Sequence, residues 1–255
     1  VAGLFGCFAL FQANQLTQII QDQIFVPFGL FSHNPMIGQL MIGVLLAGLI
    51  SMVIFGGIRR IGHVAARLVP TMVILYMFCG LIILLNNITN LDNILVLIIQ
   101  DAFTGHAVVG GTLGTVMITG IRRAAFSNEA GIGTESMAHG AAITKEPVRE
   151  GLVAMLGPMI DTLVVCSITG FAILSTGVWQ DSNLNGISMT SAAFKVGLPF
   201  FGETMLLIIV CVFSITTIIG YSYYGSKCAA FLFGNKWKQP YRVLYTLSLI
   251  PAAVI

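Results

Sequence analysis

Apolar stretches about as long as a membrane crossing dominate this chain, and they restrict its fold more than any other feature. The stretch 37–57, for example, holds no charged residue. Over all 255 residues, 56% are hydrophobic and only 9% are charged. A soluble domain of this length would need far more charge on its surface. The sequence therefore predicts an all-α, multi-pass protein embedded in a lipid bilayer.

A helix needs about 20 apolar residues to cross the ~30 Å hydrocarbon layer, and this length sets the predicted segments. We predict a single transmembrane domain with seven segments, plus an amphipathic helix near 91–104 at the outer interface. The segments are 1–20, 37–57, 68–87, an interrupted 107–143, 150–177, 201–224 and a truncated 242–255. Because both ends of the chain fall inside apolar segments, we expect an internal piece of a longer protein.

Basic residues alternate between the predicted loops. Nine Lys and Arg residues follow the second, fourth and sixth segments, whereas the loops 21–36, 88–106 and 178–200 together hold only Lys195. Short cytoplasmic loops are enriched in basic residues. The pattern predicts that Val1 lies on the cytoplasmic side of the plasma (cell inner) membrane. Because the basic residues form no long run, we do not expect nucleic acid as a partner.

The fourth segment is too long and too polar to be one straight helix. Its 37 residues, 107–143, would extend ~55 Å at 1.5 Å per residue. A polar, glycine-containing centre, Phe126 to Glu135, divides it into two short apolar parts. Helices broken near the midplane are typical of secondary transporters, where they present backbone dipoles to substrate and ion. The alternative is a cytoplasmic loop that caps two helices, with Ser127 as an N-cap.

The polar centre contains groups suited to a zwitterion and a hard cation. Asn128 offers an amide donor and acceptor, and Ser127 and Thr134 offer hydroxyls. Gly131 and Gly133 let the backbone leave helical angles. Together these groups could coordinate a sodium ion through oxygens and hydrogen-bond an amino acid.

Two long motifs resemble the alanine or glycine:cation symporter family. The first runs from Gly120 to Thr134 and includes Phe126-Ser127-Asn128-Glu129, and the second is Asp161 to Cys166. Asp101-Ala102-Phe103-Thr104 and the stretch Phe213 to Gly225 also resemble family patterns, so the resemblance covers nearly the whole chain. In one departure from the family pattern, Arg122-Arg123-Ala124 stands where the family usually has Lys-Arg-Gly.

The resemblance implies a LeuT-type fold of five-plus-five inverted repeats, of which this chain forms part. It also implies secondary active transport, in which sodium is symported with alanine or glycine by alternating access. The family's first broken helix would lie upstream of Val1. No cofactor is expected, and the sodium ion is the coupling ion.

The resemblance also assigns roles to individual residues. Gln12, Phe126, Asn128 and Thr217 are the expected substrate contacts, with Thr216 and Thr217 as sodium ligands. Each assignment has an alternative. Gln12 could make a plain interhelical hydrogen bond, and threonines in membrane helices often donate back to the i−4 carbonyl.

Other residues are expected to hold the broken segment in shape. Gly131 and Gly133 supply backbone freedom, and Asp161 is expected to pair with Arg122 or Arg123 or else to serve the cation.

Three other functions are weighed against transport. An intramembrane enzyme would need a nucleophile or metal motif, and the sequence has none. A channel would be expected to show a pore motif or an acidic ring, and neither is visible. A non-transporting membrane subunit is the third alternative. The sequence favours a transporter rather than an enzyme.

Overall fold

Helices make up most of the chain, and no β-strand occurs in the part that the structure describes. The structure is a computed structural model that describes residues 7–31, 33–103, 118, 129–131, 133–181 and 183–254. The helices are α1 Cys7–Ile20, α2 Pro35–Ile54, α3 Gly57–Asn86, α4 Leu91–Phe103, α5 Glu135–His139, α6 Pro147–Pro158, α7 Ser167–Thr176, α8 Ile187–Gly197, α9 Gly202–Phe233 and α10 Lys238–Ala252.

Two π-helical stretches extend this set. Gln21–Phe25 continues α1, and Met159–Cys166 joins α6 to α7. The stretch Pro147–Thr176 is thereby one 30-residue helical unit. Wide π turns inside long helices are rare and often occur at functional sites.

Among the residues that the structure describes, four helical units are long and apolar enough to cross a membrane: Pro35–Ile54, Gly57–Asn86, Pro147–Thr176 and Gly202–Phe233. Many of their large apolar side chains point outward, such as Ile74, which is 69% exposed, and Leu163, which is 68% exposed. Apolar surface of this extent is stable in lipid rather than in water. The chain is a helical membrane protein.

Helix α9 lies at the centre of the fold and packs against α1, α2, α3, α8 and α10. Leu206, Ile218 and Ile219 of α9 are almost completely buried. A helix that is apolar on all sides is expected in the interior. Side chains on α9 are therefore enclosed by several neighbouring helices.

Two helices extend further than the hydropathy pattern predicts. Helix α3 begins at Gly57 rather than near 68, and α9 continues to Phe233 rather than ending near 224. Lys227 consequently lies within α9, where its ammonium nitrogen is 5.4 Å from the centre of the Tyr223 ring. A lysine near a helix end is tolerated because its long side chain carries the charge outward.

The stretch 178–200, which hydropathy assigns to a loop, contains α8. Ala193 and Phe194 of α8 are fully buried, and α8 packs against α7 and α9. Gln18 donates to Ser188 at 3.1 Å and Gln23 donates to Ser191 at 2.9 Å, which joins α8 to α1 and its π-helical extension. This stretch is thus part of the packed core.

Candidate functional site

The described part of the broken segment is irregular around Gly133. Glu129–Gly131 forms a 3₁₀ turn, and α5 begins only at Glu135. Between them, Gly133 has a φ of +82° and donates its backbone N–H to the Glu129 carbonyl at 2.9 Å. A left-handed φ favours glycine because a Cβ would crowd the following carbonyl. The polar centre therefore includes a backbone turn that depends on a glycine.

We expect Gly133→Ala to weaken this turn by about 1–2 kcal/mol, because alanine at this φ is strained. That energy lowers the population of the native turn roughly 5–30-fold. Amino-acid uptake by the whole protein in proteoliposomes should fall accordingly. The control is Gly170→Ala, since Gly170 lies inside α7 with nothing within 4 Å of an added Cβ. Equal uptake by the two variants would contradict a role for the turn.

The broken segment meets the Lys227 end of α9 through Glu129. The side chains of Tyr221 and Tyr224 both interact with the Glu129 carboxyl group. Tyr221 and Tyr224 are 3% and 8% exposed, and their ring centres are 5.5 Å apart in an edge-on arrangement. A second contact is the Cys228 thiol, which is 3.7 Å from the Met137 sulfur. The segment 129–139 is thus anchored on α9.

Three hydroxyls lie near the middle of α9, and they differ in their bonding. The Thr216 hydroxyl donates to the carbonyls of Val212 and Phe213, each at 2.9 Å. Ser214 is fully buried, and its hydroxyl has no hydrogen-bond partner. Thr217 is half-buried, and its hydroxyl bonds to no other described residue. Since residues three apart share a helix face, Ser214 and Thr217 are neighbours. The hydroxyl oxygens of Ser214 and Thr217 are available to a ligand. The Thr216 hydroxyl instead donates to backbone carbonyls of its own helix, as threonines in membrane helices often do.

Gln12 lies half-buried on α1, which packs against α9. Gln12 and Thr217 are therefore on neighbouring helices. Asn14 lines a cavity of about 190 Å³ together with Thr17, Gln21, Gln39 and other residues. The two polar residues thus serve different faces of α1, as their spacing predicts.

Asp161 is half-buried in the π-helical stretch Met159–Cys166. Its expected partners, Arg122 and Arg123, lie outside the described residues, as do the expected substrate contacts Phe126 and Asn128. Gly131 closes the 3₁₀ turn described above.

His139 makes contacts that the sequence did not predict. Its Nδ1 is 2.7 Å from a Glu150 carboxylate oxygen, and its Nε2 is 3.3 Å from one of Glu135. The three side chains line an open cavity of about 580 Å³ between α5 and α6. The Glu135–His139 contact has a sequence signal in the i,i+4 spacing. The Glu150 contact has none, because it depends on how α6 folds back.

Asp22, just beyond α1, has a shifted pKa. Partial burial raises the pKa of the Asp22 carboxyl, whereas its interaction with Ser188 lowers that pKa.

In the part of the chain that the structure describes, no three His, Cys, Asp or Glu residues are grouped to hold a metal ion. The candidate site instead offers hydroxyl and amide oxygens on α1 and α9, next to an irregular polar segment. Such a set suits a small polar solute and an alkali cation.

A multi-pass helical membrane architecture with polar side chains around Gly133 and on α9 is typical of membrane carriers. The comparison with known proteins agrees: the family model described as "Sodium:alanine symporter family" matches residues 1–255. The chain belongs to this family.

Individual relatives are similar over almost all of the chain. An uncharacterized transporter from Haemophilus influenzae is 34% identical over 97% of this chain and 53% of its own length. The sodium/alanine symporter AgcS of Methanococcus maripaludis is 36% identical over 95% of this chain and 53% of its own. A probable sodium/glutamine symporter of Bacillus subtilis is 35% identical over 79% of this chain and 42% of its own. The chain spans about half the length of the curated relatives it matches.

Proposed function

We propose that the whole protein is a secondary active transporter of the plasma membrane that couples sodium entry to uptake of a small neutral amino acid, alanine or glycine. Family membership over the full chain supports sodium-coupled transport and argues against an enzyme. The printed name of the M. maripaludis relative, a sodium/alanine symporter, favours alanine among the candidate substrates. A LeuT-type inverted repeat is the architecture we propose for the whole protein.

The observation that carries this proposal is the pair of hydroxyls on α9. Ser214 and Thr217 share a face in the interior, and neither hydroxyl is hydrogen-bonded within the described structure. An unsatisfied buried hydroxyl costs about 1–3 kcal/mol, so a helix that retains one is expected to satisfy it in another state. A sodium ion or the polar end of an amino acid supplies that partner.

The proposed ligand sets follow from the family resemblance. Gln12, Phe126, Asn128 and Thr217 contact the amino acid, and Thr217 and Thr216 contact sodium. Thr216 contributes less than Thr217, because its hydroxyl already donates to two carbonyls. The glycines Gly131 and Gly133 shape the broken segment, and Asp161 holds it by pairing with Arg122 or Arg123.

Alternating access is the proposed mechanism. Sodium and the amino acid bind together near the midplane, and rocking of one helix group against another moves the opening from outside to inside. Coupling arises because each ligand stabilises the same occluded state, so each raises the affinity for the other.

We expect Thr217→Val to raise the sodium concentration for half-maximal alanine uptake about tenfold. Loss of one oxygen ligand is worth roughly 1–2 kcal/mol, and 1.4 kcal/mol corresponds to tenfold. The measurement is uptake of labelled alanine by the whole protein in proteoliposomes across a sodium series. Thr216→Val should produce a smaller increase.

The matched control is Thr246→Val on α10, since the Thr246 hydroxyl already donates to the Arg242 carbonyl at 2.8 Å. Wild-type uptake that persists when choline replaces sodium would refute sodium coupling. Sodium-independent downhill flux would favour a channel. Equal sodium dependence in Thr217→Val and Thr246→Val would remove Thr217 from the cation site.

A further inference from the structure

A second group of oxygen atoms surrounds Glu129, beyond the hydroxyls near the middle of α9. Tyr221 is one helical turn from Thr217 toward Lys227, about 6 Å along the axis, and Tyr224 is almost one turn further. Both tyrosine side chains interact with the Glu129 carboxyl group. Both tyrosines are buried. The half-buried Glu129 carboxyl group is therefore held against α9.

Thr134 adds a buried hydroxyl beside this carboxyl group. The residue is 4% exposed, and its side chain lies beside the Glu129 carboxyl group and the Tyr221 phenol. Its Oγ1 nevertheless makes no hydrogen bond of good geometry. Among the other five buried Ser and Thr side chains of the described residues, only that of Ser214 also lacks such a bond. Native structures leave few buried hydroxyls unsatisfied, and an exception points to a missing water or ion.

Among the described residues, the local charge favours a cation over a water molecule at this position. Glu135 is close enough to interact unfavourably with Glu129. Within the described chain, the ion pairs are His139 with Glu135, His139 with Glu150 and Lys195 with Glu203, so no basic side chain there pairs with Glu129. A water molecule could satisfy Thr134 but would leave the carboxylate charge in place. A sodium ion would satisfy the hydroxyl and offset the charge, because hard cations prefer oxygen ligands.

We propose that the Glu129 carboxylate, the Thr134 hydroxyl and the Tyr221 hydroxyl form a second sodium site, one helical turn from Thr217 on the Lys227 side. The proposal rests on the sodium-coupled function above and adds to it a place where the ion binds. Such a site ties the broken segment to α9 only when sodium is bound. It therefore gives the ion direct control over the position of that segment.

The test measures sodium alone as the ligand of the whole protein. In detergent and without amino acid, sodium chloride should raise the melting temperature relative to choline chloride, with a half-saturating concentration read from a sodium series. We expect Glu129→Gln and Thr134→Val each to raise that concentration at least tenfold, and Thr134→Ser to stay within about threefold of wild type. The sodium dependence of alanine uptake should shift in parallel.

Two matched controls isolate the site. Glu203→Gln removes a carboxylate at the other end of α9, where Glu203 pairs with Lys195 at 3.1 Å on the surface. Thr246→Val removes a buried threonine hydroxyl on α10. Both should leave the half-saturating sodium concentration unchanged. If Glu129→Gln fails to fold, the comparison of Thr134→Val with Thr134→Ser decides the result.

The remaining outcomes overturn the proposal. An unchanged half-saturating concentration in Thr134→Val would show that sodium does not use this hydroxyl. A changed pH profile of uptake with unchanged sodium dependence would assign Glu129 to a proton instead, with Tyr221, Tyr224 and Glu135 as the titratable groups that face it. Absence of any sodium shift in the wild type would also overturn it. Failure of the proposed function is distinct, since it appears as alanine uptake that is equal in sodium and choline.

Discussion

Gly202→Ala is expected to destabilise the protein strongly, because the added methyl group has no space. Gly202 is the first residue of α9, is buried, and donates its N–H to the Leu198 carbonyl at 2.9 Å. A Cβ at this position would overlap the Phe194 carbonyl oxygen and lie 2.7 Å from the carbonyl carbon and 2.9 Å from the Leu198 Cβ. Overpacking typically costs 1–3 kcal/mol. Here the obstacle is backbone at the end of α8, which cannot rotate away, so we expect the upper end of that range.

The measurement is the yield of monodisperse whole protein in detergent, together with its melting temperature. Gly220→Ala is the matched control on the same helix, since nothing lies within 4 Å of a Cβ there. Alanine favours a helix over glycine by about 1 kcal/mol, so this control should equal or exceed the wild type. If Gly202→Ala melted as high as Gly220→Ala, the close approach of α8 to the start of α9 would be wrong.

The class of the protein could be predicted from the sequence because it depends on composition. Four helical units of membrane-spanning length exist, and the predicted alanine symporter family is confirmed by the family match. Helix ends were less predictable. The charge of Lys227 suggested that α9 ends near 224, yet the helix continues because this side chain lies over the Tyr223 ring and reaches outward.

Helix α8 could not be recognised from hydropathy, since its 11 residues are too few to cross a membrane. In the folded chain, Phe194 and Gly197 are three residues apart and both are buried, as expected for one face of a helix. The turn at Gly186, with a φ of +56°, marks the start of α8. The length of an apolar segment was therefore a poor guide to this short helix.

The contacts of the candidate site were likewise predictable only in part. Back-bonding of Thr216 was a foreseeable alternative, because it depends on residues four apart in one helix. The contacts of Glu129 with Tyr221 and Tyr224 join residues more than 90 positions apart along the chain. Only tertiary packing brings these groups together, so no local pattern could predict them.

Phe194→Ala is expected to destabilise the protein by about 3–5 kcal/mol, the range for emptying a buried phenylalanine site. Phe194 is fully buried, and its ring centre is 5.6 Å from that of Tyr76 on α3. Loss of this aromatic pair adds about 0.5–1.5 kcal/mol. The Tyr76 hydroxyl is itself hydrogen-bonded to Thr169 of α7. Truncation of Phe194 therefore loosens α8 at the point where it meets α3 and α7.

Phe200→Ala is the control, because Phe200 follows six residues later and is 97% exposed. The melting temperature of the whole protein in detergent should fall markedly for Phe194→Ala and hardly at all for Phe200→Ala. The melting temperature of Phe194→Leu should lie between those of the two alanine variants, since leucine refills most of the space. If the two alanine variants melted alike, α8 would be a surface element rather than part of the core. The contacts of α8 with α1 would then be too weak to hold that helix in place beside the candidate site.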